Sequence, residues 1–376
     1  MRVLHVIPSI GPLRGGPSVA MGIIARALRD GGVDVDVATT NDNDSELLNV
    51  PIGAPVDENG VRYWYFERTT YPYTTSAGLG AWLRLNTANY DVVHAHALFS
   101  FSTSAAASAA GRNAIPYVIR PLGTLARYGM QQHSLLKQLS WYTVERRILK
   151  QAAGVHFTSE AEREEAERLG KWHSFVVPLG IDAPPQVSHA AIDPARPVFL
   201  FLSRIHPKKR IELLLQAFWL VRESAPGARL IIAGTGASDY VTELKRLSEE
   251  LGVATHVEWP GHVAGEDKQK LYQQANAFVL PSVNENFGIA PVEALAAGLP
   301  VVLTRGVAIH REVETRQAGI IVDDTVSDLA AGMLQLRDAV AQQDMAWRAA
   351  ELARDTFSVA AMQRGLIAMY HKILAA

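Results

Sequence analysis

The chain has 376 residues, 48% of them hydrophobic and 20% charged, with a formal net charge of −2 and no cysteine. That length suits two ordinary domains, each able to bury a core, and the composition is neither that of a disordered nor of a collagen-like chain. The near-neutral balance removes a global electrostatic case for nucleic acid, and the absence of cysteine removes disulfides, thiolate catalysis and cysteine-built metal centres.

The opening MRVLHVIPSIG reads as a first strand and not as a signal peptide, and no stretch reaches the roughly 18 apolar residues of a membrane span, so a cytoplasmic protein is expected. β-Branched runs alternate with helical patterns, as in a parallel-sheet α/β protein. Strands are predicted at Val3 to Ile7, Asp34 to Thr39, Val61 to Phe66, Asp91 to His94, Pro116 to Arg120, Gly154 to Thr158 and Ser174 to Val177. Gly15-Gly16-Pro17-Ser18 follows the first strand. It either offers bare backbone amides to a negatively charged donor or simply makes a tight turn. Residues 103 to 110 (TSAAASAA) form a small-residue helix suited to tight packing. His94 and His96, with one residue between them, are read as pointing to opposite faces, and no acid cluster adds ligands, so no metal site is expected.

A proline-rich segment, Ala183 to Pro197, reads as an interdomain linker, dividing domain 1–182 from domain 183–357. Strands resume at Val198 to Ser203, Arg229 to Ala233, His256 to Trp259, Ala277 to Leu280, Pro300 to Leu303 and Gly319 to Val322. Each half thus resembles a doubly wound sheet, with the crevice between them the expected active site. A last helix, within 358–376, follows completion of the second sheet and is expected to cross back to the first domain.

Two loops of the second half carry chemistry. Arg204-Ile205-His206-Pro207-Lys208-Lys209-Arg210 lies between a strand and a helix, where cations and helix amides suit a diphosphate; a solvated basic loop is the plain alternative. After the apolar run ending at Leu280 comes VNENFGIAP, leading into an alanine-rich helix with Pro291 near its start and Gly298 past its end. Glu285 lies in this loop and Glu293 in the helix's opening turn, and carboxylates there suit paired sugar hydroxyls, although the helix dipole also favours an acid at Glu293. Gly234-Thr235-Gly236 follows a strand without the third glycine of a dinucleotide fingerprint, and allows close approach of a ligand or closes a turn. His262 lies in a loop that could line a nucleobase.

These residues together resemble the family 4 glycosyltransferases, retaining enzymes of the GT-B fold, in which two Rossmann-like, doubly wound parallel-sheet domains face a central cleft. The resemblance rests on the E-x7-E pair (Glu285, Glu293), on Arg204 and Lys209 in a Ser-Arg-x4-Lys element, on Gly15-Gly16, and on Asp-Val-Val-His-Ala-His. It implies that Arg204 and Lys209 hold a donor diphosphate and that Glu293 meets the ribose hydroxyls. Glu285 would meet the transferred sugar, helped by the amides of Asn286, Phe287 and Gly288. Gly15, Gly16, Gly234 and His262 complete the expected donor contacts. Many relatives carry a histidine where Leu122 stands here; either Arg120, Thr124 or His96 covers the need, or this branch does without the group.

The expected activity is metal-independent, retaining hexosyl transfer from a nucleotide-sugar cosubstrate to a hydroxyl of a glycan or lipid-linked acceptor, in cell-surface polysaccharide biosynthesis. A sugar-nucleotide epimerase and a non-catalytic sugar-binding protein are the alternatives, while a phosphorylase and a nicotinamide dehydrogenase lack their sequence marks. Between Arg112 and Lys150, seven basic residues (Arg112, Arg120, Arg127, Lys137, Arg146, Arg147, Lys150) face one acid, Glu145. Segment 134–150 also carries Leu135, Leu136, Leu139, Tyr142 and Ile148 as an apolar stripe. It reads either as a peripheral membrane contact at the inner leaflet or as a core-packed helix with a solvated basic face.

Overall fold

The computed structural model describes residues 1–126, 129–130, 134–182 and 193–376; Arg127, the side chain of Leu136 and residues 183–192 of the proline-rich segment lie outside the described residues. The chain divides into two compact units, Met1–Gly180 with Val359–Ala376, and Ile181–Ser358. The breaks fall within a few residues of the proline-rich segment and at the start of the last helix.

The first unit contains β1 (Arg2–Ser9), β2 (Asp34–Thr40), β3 (Asp42–Asn43), β4 (Glu46–Leu47), β5 (Pro55–Glu58), β6 (Val61–Phe66), β7 (Val92–His96), β8 (Tyr117–Arg120), β9 (Gly154–Phe157) and β10 (Ser174–Val176). Eight of them form one sheet in the order β10-β9-β8-β7-β1-β2-β6-β5, parallel except where β5 runs against β6. The short polar strands β3, β4 and β5 escape prediction because they lack the apolar periodicity that marks a buried strand. The second unit contains β11 (Val198–Leu202), β12 (Arg229–Ala233), β13 (Val257–Gly261), β14 (Ala277–Leu280), β15 (Val301–Thr304) and β16 (Gly319–Val322). Its all-parallel order is β13-β12-β11-β14-β15-β16. That is the doubly wound order in which the winding reverses between β11 and β14.

Central strands read as unbroken apolar runs because helices cover both their faces. The helix Phe101–Arg112 starts at Ser100, whose hydroxyl accepts the Thr103 amide at 3.3 Å, and buries Ala106, Ala107, Ala109 and Ala110 beside Leu4 and Val93. The small side chains let its backbone lie close to the sheet. The last helix, Val359–Leu374, belongs to the first unit and buries Met362, Leu366, Met369, Tyr370 and Ile373, a stripe at helical spacing. Gln363 donates to the Ala27 carbonyl at 2.5 Å, and Gly365 lies against Val177.

Two buried aspartates organise the first unit's polar interior. The fully buried carboxylate of Asp42 accepts Arg14 Nε at 2.7 Å and Arg14 Nη2 at 3.0 Å, and a further bond from Arg68. Asp36, also fully buried, takes Arg2 and Arg62 together with the Tyr90 hydroxyl.

Candidate active site

The winding reversal in the second sheet selects two loops, those leaving β11 and β14. Ligands of open α/β sheets bind outside the carboxyl ends of strands at such a point. The first loop is the cationic one and the second the acidic one, and they are tied together: the Val283 amide donates to the Lys208 carbonyl at 2.9 Å, and Lys209 Nζ pairs with Glu285. The loop holding Glu285 is fixed from its other side, the Glu285 amide donating to Gly306 O at 2.8 Å and its carbonyl accepting the Ala308 amide at 3.0 Å.

Arg204 is exposed and has no hydrogen-bond or ion-pair partner among the described residues, which leaves a free planar cation beside the loop. Lys209 is nearly buried, and burial, reinforced by Arg204 and Lys208, lowers its pKa from 10.5 to about 8. Burial disfavours the ammonium, and the neighbouring cations add repulsion. His206 begins a short 3-10 turn, Pro207–Lys209, accepting the Lys208 amide at 3.2 Å, while Arg210 turns away to pair with Asp324.

The helix Ile289–Ala296 begins at Gly288, whose φ of 84° lies in the left-handed region, and no side chain caps it. A Cβ on Gly288 would approach Pro291 Cγ at 2.8 Å, so glycine is needed here for conformation and for space. Phe287 turns its ring inward against Phe357, at a centroid separation of 5.6 Å, so that its backbone is what the loop presents. Glu293 lies in the second turn of this helix and not in its opening turn. The macrodipole therefore does not account for it, since that effect fades beyond the first turn. Its partners come from the helix Gly265–Gln274: Lys268 Nζ at 2.7 Å and the Tyr272 hydroxyl at 2.9 Å. Neither partner was foreseen, because a helix 21 to 25 residues away in sequence gives no local sign of facing Glu293.

Gly234 has φ 141°, and a Cβ there would overlap the Ser203 carbonyl oxygen. The close approach that requires glycine is thus to the chain entering the cationic loop, where Ile205 N donates to Thr235 O at 2.8 Å. The Gly234 amide donates to Gly261 O at 2.7 Å, which sets the exposed His262 in the adjoining loop. In the first unit, Gly15 has φ 75° and its amide is used by Pro12 O at 3.0 Å, so of the Gly15-Gly16 pair that amide is not bare.

Two expectations for the first unit need correction. His94 and His96 share one face of β7, as residues two apart in a strand must, and their rings stack with centroids 4.4 Å apart. His5 joins them from β1, so that ring nitrogens of the three lie within 4.8 Å of one another, a donor set a metal ion could use and one that spacing along the chain did not reveal. The apolar stripe of segment 134–150 also divides. Leu135, Leu139 and Tyr142 are exposed in sequence steps that follow one helical face, whereas Ile148 is buried in the core with Trp141 and Leu149. A π-helical turn at Trp141–Glu145 shifts the register between the two parts.

His96 and Arg120 are both buried at the carboxyl ends of neighbouring strands, in register with each other. Burial lowers the Arg120 pKa to about 10, with Glu162 opposing the shift. Leu122 has a φ of 59°, and the Thr124 hydroxyl is used by Pro121 O at 2.8 Å.

Comparison with known families assigns each half. Residues 15–180 match the glycosyl transferase 4-like domain, and residues 185–352 match the glycosyl transferases group 1. The chain is a GT-B-fold protein of the glycosyltransferase 4 type. Its architecture resembles that of sucrose-phosphate synthase from Thermosynechococcus elongatus, with a TM-score of 0.76 at 19% identity over 100% of both chains. It is equally similar to Anabaena HepE in complex with UDP, at TM-score 0.76 and 19% identity over 99% of this chain and 100% of that one. Among curated relatives, the GDP-mannose-dependent alpha-(1-6)-phosphatidylinositol monomannoside mannosyltransferase of Mycobacterium tuberculosis is 32% identical over 43% of this GT-B chain and 46% of its own length. The D-inositol 3-phosphate glycosyltransferase of Jonesia denitrificans is 27% identical over 89% of the chain and 86% of its own length. The chain thus spans about half the length of the first curated relatives it matches.

Proposed function

We propose that the protein transfers a hexosyl group, with retention and without a metal ion, from a nucleoside-diphosphate sugar to a hydroxyl of a glycan or lipid-linked acceptor. The observation that carries this reading is the pairing of Lys209 with Glu285 across the two loops flanking the winding reversal. Lys209 and Arg204 take the diphosphate, and the uncapped amides ahead of Ile289–Ala296 add fixed positive ends. Glu285 exchanges its lysine for sugar hydroxyls, and Glu293 takes ribose hydroxyls from its cradle of Lys268 and Tyr272. As the sugar–phosphate bond breaks, charge grows on the leaving diphosphate. Cations already in place stabilise it without reorganisation. The acceptor hydroxyl attacks from the face the diphosphate leaves and gives its proton to the departing phosphate. Double displacement through Glu285 is the competing route.

A thermal-shift screen with UDP-, GDP- and ADP-sugars tests the donor assignment. Saturation at 100 times Kd should stabilise the native state by about 2.7 kcal/mol, and the base with the largest shift identifies the donor. No shift with any of the three would reject the reading. Product analysis then separates transfer from epimerisation, since an epimerase consumes the donor with no acceptor present.

A role in cell-surface polysaccharide synthesis fits contact with an anionic membrane through Leu135, Leu139 and Tyr142, with Arg146, Arg147 and Lys150 exposed beyond them. Wild-type protein should sediment with phosphatidylserine vesicles, and the Lys137, Arg146, Arg147 triple alanine variant should remain in solution. Failure of the wild type to sediment would end the membrane reading and leave the donor site untouched.

A further inference from the structure

Four histidines and one tyrosine, all buried in the first unit, form a chain of hydrogen bonds under the last helix. It starts at a main-chain carbonyl: His156 Nε2 lies 2.9 Å from Val177 O. It continues from His156 Nδ1 to His94 Nε2 at 3.3 Å, from His94 Nδ1 to the Tyr370 hydroxyl at 2.8 Å, from that hydroxyl to His5 Nε2 at 3.4 Å, and from His5 Nδ1 to His96 Nε2 at 2.9 Å. A carbonyl oxygen has no proton, so the first bond has only one direction. His156 must donate from Nε2, which leaves Nδ1 as an acceptor for His94 Nε2–H. His94 Nδ1 then accepts from Tyr370, Tyr370 accepts from His5 Nε2–H, and His5 Nδ1 accepts from His96 Nε2–H. Every imidazole is thereby placed in the same tautomer, and His96 Nδ1 is left at the end with a free lone pair.

That nitrogen has no hydrogen-bond partner among the described residues, and neither does Arg120 Nε, on the residue opposite His96 across the β7–β8 ladder. One is a buried acceptor and the other a buried donor. A hydroxyl satisfies both, donating to the imidazole and accepting from the guanidinium. The chain works only with neutral rings, because an imidazolium has no lone pair to accept with. Burial supplies this condition, lowering His5 and His156 to about 3 with Arg120 adding repulsion.

We propose that His156, His94, Tyr370 and His5 are a one-way relay of positioning residues that presents His96 Nδ1, opposite Arg120 Nε–H, as the binding point for a single hydroxyl. That the hydroxyl belongs to a sugar substrate rests on the glycosyl-transfer reading; the tautomers do not. The same atoms argue against a resident metal ion at His5, His94 and His96. Every ring nitrogen of these three except His96 Nδ1 is already engaged in the chain, and a cation would sit beside the Arg120 charge.

The test uses full-length protein with nitrogen-15-labelled histidine and long-range proton–nitrogen spectra at neutral pH. All four buried rings should be in the Nε2–H form; an Nδ1–H form at any of them would overturn the relay. Tyr370→Phe, which removes only an oxygen, should release His5 and His96 into mixed tautomers while His94 and His156 stay locked by Val177. Unchanged tautomers at His5 and His96 in a folded Tyr370→Phe would sink the proposal, as would a joint shift of His5, His94 and His96 on titration with zinc. For the hydroxyl, His96→Asn keeps an acceptor oxygen near the place of Nδ1 and should retain most of kcat/KM, whereas His96→Leu should lose about tenfold or more. Equal losses would remove the lone-pair role. A wild type without transfer activity would defeat the functional reading and leave the tautomer result standing.

Discussion

Lys209→Ala is expected to lower kcat by roughly 100- to 1,000-fold, the cost of losing one preorganised partner of a developing oxyanion. Its melting temperature should stay near that of the wild type. The second half of that expectation follows from the sign of the pKa shift. Burial holds Lys209 at about 8 in the folded chain against 10.5 for an ordinary lysine, so the ammonium costs stability below pH 8, and its removal relieves that cost and offsets the loss of the pair with Glu285. Between these two values the unfolded chain binds more protons than the folded one, and stability from this group rises with pH. Diphosphate binding has the opposite sign. The ligand favours the ammonium, so nucleoside diphosphate affinity should be level below about pH 8 and fall above it. Calorimetry near pH 8 in buffers of different ionisation enthalpy should detect proton uptake on binding. Glu285→Ala should reduce turnover by a similar factor with the nucleotide still bound, because the role proposed for it is toward the sugar. A Lys209→Ala protein with wild-type kcat would refute the diphosphate assignment.

The largest effect on stability is expected from Asp42→Ala. The substitution removes the buried carboxylate that Arg14 and Arg68 share and leaves them their contacts with Asp44, and breaking a buried pair from one side costs about 3 kcal/mol. For a unit of this size that corresponds to a fall in melting temperature of roughly 10 °C. Arg14 and Arg68 hold the Asp42 carboxyl below its ordinary value of 3.8, against the opposing effect of burial. Its contribution is therefore present above that value and is lost as pH falls through the lower folded pKa. Thermal melts at pH 7 should separate the variant clearly from wild type. A difference under about 1 kcal/mol would show that the network is dispensable. Asp42, Arg14 and Arg68 all lie in the first unit, so the proposed nucleotide contacts of the second unit at Arg204, Lys209 and Glu293 should persist in the variant.

Much of this was legible along the chain. Runs such as Ala277–Leu280 and Val301–Thr304 are apolar on both faces, and Gly288 and Gly298 flank the helix after β14, so local preference and burial pattern agree. The pairing of Lys209 with Glu285 was legible only as two loops of opposite charge, each following a strand. What brings them together is the strand order: β14 lies beside β11 although β12 and β13 intervene in sequence. The His5, His94, His96, His156 and Tyr370 chain was not legible at all. Its members come from three strands and a helix more than 350 residues from the first of them, and the residue spacing that was visible, at His94 and His96, was read onto the wrong faces.

The sequence by itself determined the alternation of strands and helices, the two-domain class and the types of side chain carried by the two loops after β11 and β14, because these depend on patterns only a few residues long. Only the tertiary structure decided which side chains share partners: Glu293 with Lys268 and Tyr272, Asp42 with Arg14 and Arg68, and His96 at the end of a relay. Those choices depend on sheet order and burial, which set distances and dielectric between residues far apart in the chain, and no local pattern encodes them.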